Sequence, residues 1–189
     1  MITQAVILCG GKGERLGDAL RYNPTVLIPK PLIEVGGKPF VTYAIAMLKG
    51  IGITDIILTT RNQAGHFVYL QDDVVRVVGK DCEADAELLL ISHLHDLFLL
   101  LNGDSFPIMD WRAFINTDKP RVAVKVVGRD AGVAIVRKAD IGSGHFRCLD
   151  MKSMMSVYEN YTILGGLHIG TPQGLQRARA FMDIVVYGQ

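Results

Sequence analysis

The chain predicts an α/β fold: a three-layer αβα sandwich around a mixed, mainly parallel sheet. Strand-like and helix-like segments alternate over the first hundred or so positions, the pattern of parallel strands joined by crossover helices. The strand-like runs are short and continuously apolar, as buried strands are. Two later β-branched runs, Val122 to Val127 and Val133 to Val136, flank a Gly128-Arg129-Asp130 turn and predict a local antiparallel pair, which makes the sheet mixed.

In chain order, Ala5-Val6-Ile7-Leu8 reads as a first strand that empties into Cys9-Gly10-Gly11-Lys12-Gly13-Glu14-Arg15-Leu16. Pro39 to Lys49 carries Phe40, Tyr43, Ala44, Met47 and Leu48 at helical spacing and is closed by Gly50. Asp55 to Thr59 is a strand, followed by a polar stretch with His66, Phe67 and Tyr69 and a second strand at Val74 to Val78. Glu83 to His93 predicts an Ala- and Leu-rich helix, and Leu97 to Leu101 is the most hydrophobic strand. Met151 to Val157 fits neither period; Tyr161 to Ile169 reads as extended, and Gln173 to Asp183 as a helix started by Thr171-Pro172. With no linker, repeat or low-complexity tract, residues 1–189 are expected to form one domain.

Composition narrows the classes of partner. A 49% hydrophobic, 21% charged chain of 189 residues can bury a real core, and a formal net charge of +1 gives no broad attraction to nucleic acid or membrane surfaces. Anion selectivity must therefore be local, and Lys12, Arg15, Arg21, Lys30 and Lys38 gather in or beside the glycine-rich segment. Cys9, Cys82 and Cys148 are far apart, odd in number and without metal-like spacing, so they read as free thiols of a reducing compartment, Cys9 as a small buried hydrophobe. Residues 1–8 lack the basic start and longer apolar run of a signal peptide, and no apolar run approaches membrane-spanning length; a soluble cytoplasmic protein is expected.

Gly10, Gly11 and Gly13 leave main-chain N–H groups free to approach an anion, and Arg15 and Lys30 can add a bidentate and a mobile charge. Two commoner nucleotide loops fail: Lys12 precedes Gly13 rather than Ser or Thr, and the third glycine of the dinucleotide fingerprint is Leu16. Asp104, after Leu100-Leu101-Asn102-Gly103, ends an apolar strand where a carboxylate is presented at the sheet edge to a hard cation, though aspartate there also serves as a turn former. Ligands of such sheets bind outside the carboxyl ends of the strands, where the glycine loop and Asp104 both fall. His93, His95 and Asp96 sit at a helix end without further ligands nearby in sequence and read as a solvated cap rather than a metal cluster.

With Pro29-Lys30-Pro31-Leu32-Ile33-Glu34-Val35-Gly36-Gly37-Lys38-Pro39 added, the N-terminal segment resembles the sugar-phosphate nucleotidyltransferases, whose signature is Gly-Gly-x-Gly-Thr-Arg-Leu, then Pro-Lys-Pro-Leu and Val-x-Gly-Lys-Pro. Leu100-Leu101-Asn102-Gly103-Asp104-Ser105 resembles that family's metal-binding strand end, Asp130-Ala131-Gly132-Val133 its sugar-site strand, and Ile169-Gly170-Thr171-Pro172 its C-terminal signature. The likeness is nearest to small bacterial members that activate heptose or hexose 1-phosphate for lipopolysaccharide and other cell-surface polysaccharides.

The resemblance implies the nucleotide-diphospho-sugar transferase fold, which is Rossmann-like, with a nucleotide-binding part over about 1–110 and a shortened acceptor part over about 111–189. It implies attack by a sugar 1-phosphate on the α-phosphorus of a nucleoside triphosphate, giving an NDP-sugar and pyrophosphate. Arg15 and Lys30 are the expected catalytic cations. Leu8, Gly10, Gly11, Lys12, Gly13 and Asp85 are expected at the nucleotide, Asp130 and Gly132 at the sugar, and Asp104 with His168 at Mg²⁺, or alternatively Mn²⁺.

Four departures bear on that transfer of function. Glu14 replaces the signature threonine, and His168 stands where the family carries a second metal-binding aspartate. Histidine suits Mn²⁺ better than Mg²⁺. Cys82-Glu83-Ala84-Asp85-Ala86 replaces a Gly-Thr-Gly-Gly-Ala segment, so the base preference does not carry over. The short interval between Val127 and Asp130 omits sugar-contacting segments, which leaves either a small acceptor or a site completed by another subunit of a homo-oligomer. Beside an active sugar-1-phosphate enzyme stand two alternatives: a catalytically weak nucleotide-binding or regulatory module, and a nucleotidyltransferase for a small non-sugar phosphate.

Overall fold

Strand residues pointing either way are buried, so the sheet must be covered on both faces. In the computed structural model, residues 2–11, 16, 21–23, 26–79, 91–125, 130–141, 154–163 and 165–187 are described. In order they form β1 (Gln4–Leu8), the short pairs β2 (Arg21–Asn23) with β3 (Val26–Leu27) and β4 (Glu34–Val35) with β5 (Lys38–Pro39), and helix α1 (Phe40–Gly50). Next come β6 (Asp55–Thr59), β7 (Val75–Val78), β8 (Leu97–Asn102), β9 (Ser105–Ile108) and α2 (Trp111–Ile115). β10 (Arg121–Lys125), β11 (Asp130–Arg137), β12 (Glu159–Ile163), β13 (Gly165–His168) and α3 (Pro172–Tyr187) complete the order.

The main sheet has seven strands in the order β12-β10-β11-β8-β1-β6-β7. β1 pairs in parallel with β6 and β8, β6 with β7, and β10 with β12, while β11 runs antiparallel to both β8 and β10. β11 is thus the one reversed strand of the main sheet, the mixed and mainly parallel arrangement the sequence predicts.

Successive strand residues feed opposite cores. Ala5, Ile7, Ile56, Leu58, Leu99 and Leu101 pack on the face covered by α1 and α2, through Val41, Ile45, Leu48, Trp111 and Phe114. Val6, Ile57, Phe98 and Leu100 face the other way, against Leu94, Met154 and Tyr158. Each fully buried Leu, Ile or Phe contributes roughly 1.5–3 kcal/mol of transfer free energy. A third cluster joins Ile33, Val35 and Phe40 to Ile169 and to Leu175, Ala178 and Met182 of α3, docking that helix on the segment that follows Lys30.

Two expectations are corrected, and a third falls mostly outside the described residues. Helix α1 is closed at Gly52, not Gly50: the Gly52 N–H donates to Lys49 O and the Ile53 N–H to Leu48 O, a Schellman pair with Gly52 at φ 92°. Tyr161 to Ile169 is two strands in different sheets: β12 extends the main sheet, whereas β13 pairs antiparallel with β9. Of the helix expected at Glu83 to His93, residues 83–90 lie outside the described residues and Ile91–His93 is a 3-10 turn. The antiparallel pair is present as β10 and β11, with residues 126–129 of its turn outside the described set. Among the described residues no helix is long and apolar enough to cross a membrane.

Candidate functional site

Asp104 occupies the turn between β8 and β9, at the carboxyl edge of the parallel strands. Its backbone is tied on both sides: Gly103 N–H donates to Leu8 O at 3.0 Å, and Ile169 N–H donates to Asp104 O at 2.9 Å. These bonds bring the end of β1 and the segment after β13 to one point. Lys30 opens a 3-10 turn between Pro29 and Pro31, closed by Leu32 N–H to Pro29 O at 2.8 Å. Its ammonium donates to Asp104 Oδ2 across 74 positions of sequence, and the two side chains are only 13% and 10% exposed.

Ser105 Oγ lies 3.2 Å from Asp104 Oδ1 and 3.0 Å from His168 Nδ1, and His168 Nδ1 is 3.7 Å from Asp104 Oδ1. His168 reaches this place because β13 pairs it with Ser105 on β9. Burial opposes ionisation of the Asp104 carboxyl, but the Lys30 charge and hydrogen bond, joined by His168 and Ser105, outweigh it and hold the group below the usual carboxylate range.

The other expected residues are distributed as follows. Gly10 and Gly11 follow β1, and the side-chain position of Gly11 is 3.7 Å from Lys30 Nζ, so the start of the glycine loop adjoins the ion pair. Leu8 is half-buried at the end of β1, its carbonyl engaged by Gly103. Asp130 begins β11 and accepts Gly132 N–H at 3.1 Å. Gly132 is buried at φ 78°, and a Cβ there would stand 2.6 Å from Ser105 Cβ. Lys12, Gly13, Glu14, Arg15 and Asp85 lie outside the described residues, as do Cys82 and Cys148. Cys9 is fully buried, and that burial, reinforced by the Asp104 charge, pushes its thiol up and keeps it protonated.

His93 and His95 are at the opposite edge of the sheet. Gln4, the first residue of β1, donates to His93 O at 2.8 Å and accepts His95 N–H at 2.8 Å, so its side chain ties the backbone of this segment to β1, while the helix preceding it lies outside the described residues. Among the described residues no three His, Cys, Asp or Glu side chains gather as a ready metal cage. Sequence reasoning missed Ser105 and Gly170. A Cβ at Gly170 would collide with His168 Nε2 and stand 2.9 Å from Asp104 Oδ2, so both polar atoms border the space that this glycine leaves open. The only signals were adjacency to Asp104 and the Ile169-Gly170-Thr171-Pro172 run.

Comparison with known proteins places this chain among nucleotidyltransferases. The family model of the MobA-like NTP transferase domain matches residues 5–105, from β1 to the first residue of β9. The mannose-1-phosphate guanyltransferase of Schizosaccharomyces pombe is 42% identical over 200 residues, covering 92% of this chain and 51% of that protein. The D-glycero-alpha-D-manno-heptose 1-phosphate guanylyltransferase of Campylobacter jejuni is 42% identical over 55 residues, 29% of this chain and 23% of that protein. The chain spans about half or less of the length of the curated relatives it matches. The crystal structure of HddC from Yersinia pseudotuberculosis complexed with GMP-PN superposes with a TM-score of 0.71 at 21% identity, covering 95% of this chain and 99% of that one, and so shows the shared fold.

Proposed function

This chain belongs to the MobA-like NTP transferase domain family, and from that membership we propose that it joins a nucleoside triphosphate to a sugar 1-phosphate, giving an NDP-sugar and pyrophosphate. The observation that carries the reading is the Lys30–Asp104 pair, assembled beside Gly11 at the carboxyl edge of β1 and β8. Ligands of open α/β sheets bind at that edge.

In the proposed reaction an oxygen of the sugar phosphate forms a bond to the α-phosphorus while the bond to the bridging oxygen of the β-phosphate breaks, and pyrophosphate leaves. A phosphate monoester has its second pKa near about 6, so the nucleophile is already largely dianionic at neutral pH and needs no general base. The protein's task is to hold two anions together in line and to stabilise charge on the leaving group. Lys30 bridges the sugar phosphate and the α-phosphate, and Arg15 with the Gly10, Gly11, Lys12 and Gly13 backbone holds the triphosphate. Leu8 and Asp85 border the nucleotide, and Asp130 and Gly132 the sugar.

The donor set fits a divalent ion held by few protein groups. Mg²⁺ is commonly bound through one or two carboxylates plus substrate phosphates, and Asp104 provides such a carboxylate, with the His168 imidazole 3.7 Å away favouring Mn²⁺. A divalent ion held there would neutralise charge on the reacting phosphates. Lys30 moves from Asp104 to substrate phosphate when the site fills.

Guanylyl transfer to mannose or heptose 1-phosphate is the first pair to test, from the names of the relatives. The setting proposed is cytoplasmic precursor synthesis for polysaccharide or lipopolysaccharide, by one domain with its nucleotide part over about 1–110 and its acceptor part over about 111–189. The test is pyrophosphate release across GTP, CTP, ATP, UTP and dTTP against mannose, heptose and glucose 1-phosphates, with Mg²⁺ and Mn²⁺ run separately. One responding pair establishes the reaction and names both substrates. Nucleotide binding without release in any combination refutes it and favours a binding module, the reading that His168 in place of a carboxylate supports. Release only with a small alcohol phosphate would favour a non-sugar acceptor, which the four-residue link from β10 to β11, residues 126–129, also suits.

A further inference from the structure

We propose that Gly103 is a positioning residue: the side chain it lacks lets the Pro31 ring close onto the backbone just before Asp104, and that contact sets the reach of Lys30 to the carboxylate. The inference deepens the reading of Lys30 and Asp104 as the working pair and rests on it for its catalytic meaning.

Gly103 is not a glycine for the sake of its conformation. Its φ is outside the left-handed region, unlike those of Gly36, Gly37, Gly52 and Gly132, so alanine could adopt the same backbone. What excludes a side chain is space. A Cβ there would stand 2.9 Å from Leu8 O, 3.0 Å from Pro31 Cγ and 3.1 Å from Cys9 Sγ, so three segments meet at the one missing atom. Interiors are packed too closely to absorb a methyl group at such distances without a shift.

Two of the three neighbours are held by the main sheet. Leu8 pairs with Thr59 on one side and Asn102 on the other, and its carbonyl already accepts the Gly103 N–H at 3.0 Å. Cys9 is fully buried, and its N–H donates to Thr59 O at 2.8 Å. Pro31 is buried as well, but it belongs to a three-residue 3-10 turn outside that sheet, closed by Leu32 N–H to Pro29 O. An added methyl group therefore displaces the turn. Lys30 precedes Pro31 and Asp104 follows Gly103, so a displacement at this contact passes directly to the ion pair.

The experiment is a double-mutant cycle on the full chain, with Gly103→Ala placed in the wild type and in Lys30→Met and urea midpoints followed by circular dichroism. If the methyl group acts through the pair, the midpoint shift it causes falls by about half or more once the Lys30 charge is gone, whereas independent sites add. Asp55→Asn, which breaks the Arg76–Asp55 pair at the other edge of the sheet, is the control background and leaves the Gly103→Ala shift unchanged. In steady-state pyrophosphate release, Gly103→Ala lowers kcat about 100-fold with KM within about threefold, the signature of a misplaced reacting group. If Gly103→Ala does not fold, Pro31→Ala withdraws the ring from the other side of the same contact and goes through the same cycle with the same expectation. Equal shifts in the wild-type and Lys30→Met backgrounds, or an unchanged kcat, overturn the proposal. The cycle needs no substrate: coupling can hold while every substrate pair fails, and can be absent while pyrophosphate is released, so the two readings fall separately.

Discussion

Replacing Lys30 with methionine isolates what the ion pair contributes, since methionine keeps most of the stem and removes the charge. Both partners are nearly buried, at 13% and 10% side-chain exposure, so the carboxylate left behind cannot be rescued by bulk water. Breaking a buried pair from one side costs about 3–5 kcal/mol, and the Ser105 hydroxyl and His168 still facing Asp104 place this case near 3. For a chain of 189 residues that corresponds to a fall of roughly 6–12 °C in Tm. The pH dependence carries its own sign. In the wild type the folded carboxyl is held below its unfolded value of about 3.9, so its contribution is present above that value and is lost as pH falls through the folded one. In Lys30→Met burial acts without the opposing ammonium, so the folded value rises from its wild-type position. The stability deficit is then smallest in acid, where the group is neutral in both states, and widens as pH rises toward 7. Urea unfolding followed by circular dichroism between pH 4 and 8 measures both. A deficit under about 0.5 kcal/mol at pH 7, or one that does not change with pH, would refute this account of the pair. Adding Asp104→Asn to Lys30→Met removes the stranded charge and should recover part of the loss.

Asp104→Asn alone should lower kcat/KM for metal-dependent pyrophosphate release by at least about 100-fold, the scale of losing a principal electrostatic group; unchanged release would remove Asp104 from the chemistry. Gly132→Ala combines a left-handed φ of 78° with a Cβ 2.6 Å from Ser105 Cβ, so backbone strain and overpacking together should cost about 2–4 kcal/mol in urea unfolding. A cost under 1 kcal/mol would show that β11 yields there. Phe114→Ala empties a fully buried position of α2 and should cost about 3–5 kcal/mol while leaving KM within twofold; a large KM change would mean that the site senses that core.

The sequence was most legible where a local period or a named chemistry survives translation into structure. β1, β6 and β8 lie within a residue or so of their apolar runs, because strands buried on both faces have no polar face to interrupt them, and the edge strand β7 is as legible although Arg76 interrupts it. Lys30 and Asp104 were legible as a charge between prolines and a carboxylate at a strand end. Their meeting was not, since pairing across 74 positions is set by sheet order and not by any local pattern. Tyr161 to Ile169 reads as one extended run, but its two halves serve different sheets, and nothing in the alternation of those residues marks the exchange. Helix α2 has five residues, too few to show a helical period, and is started by Asp110 accepting the Ala113 N–H at 3.0 Å. Ser105 closes the Leu100-to-Ser105 segment, but no chemistry was assigned to it there. Its contacts exist only once β9, β11 and β13 bring Asp104, Gly132 and His168 around it.

The two-stranded ribbon, more than the large sheet, decides what the site can do. The main sheet delivers Leu8, Asp104 and Asp130 to one edge through ladders of fully buried residues. His168 arrives through the short pairing of β9 and β13 alone, and a slip of one residue there would turn Leu167 or Ile169 toward Ser105 in its place. That register is pinned by Ile169 N–H donating to Asp104 O at 2.9 Å, and by Ile169 itself, buried with Leu175, Ala178 and Met182 of α3. The same cluster includes Ile33 and Val35, just past the turn that holds Lys30. Docking α3 therefore sets His168 and Lys30 at once, on either side of Asp104, so this helix holds the candidate site in place without itself supplying a side chain to it.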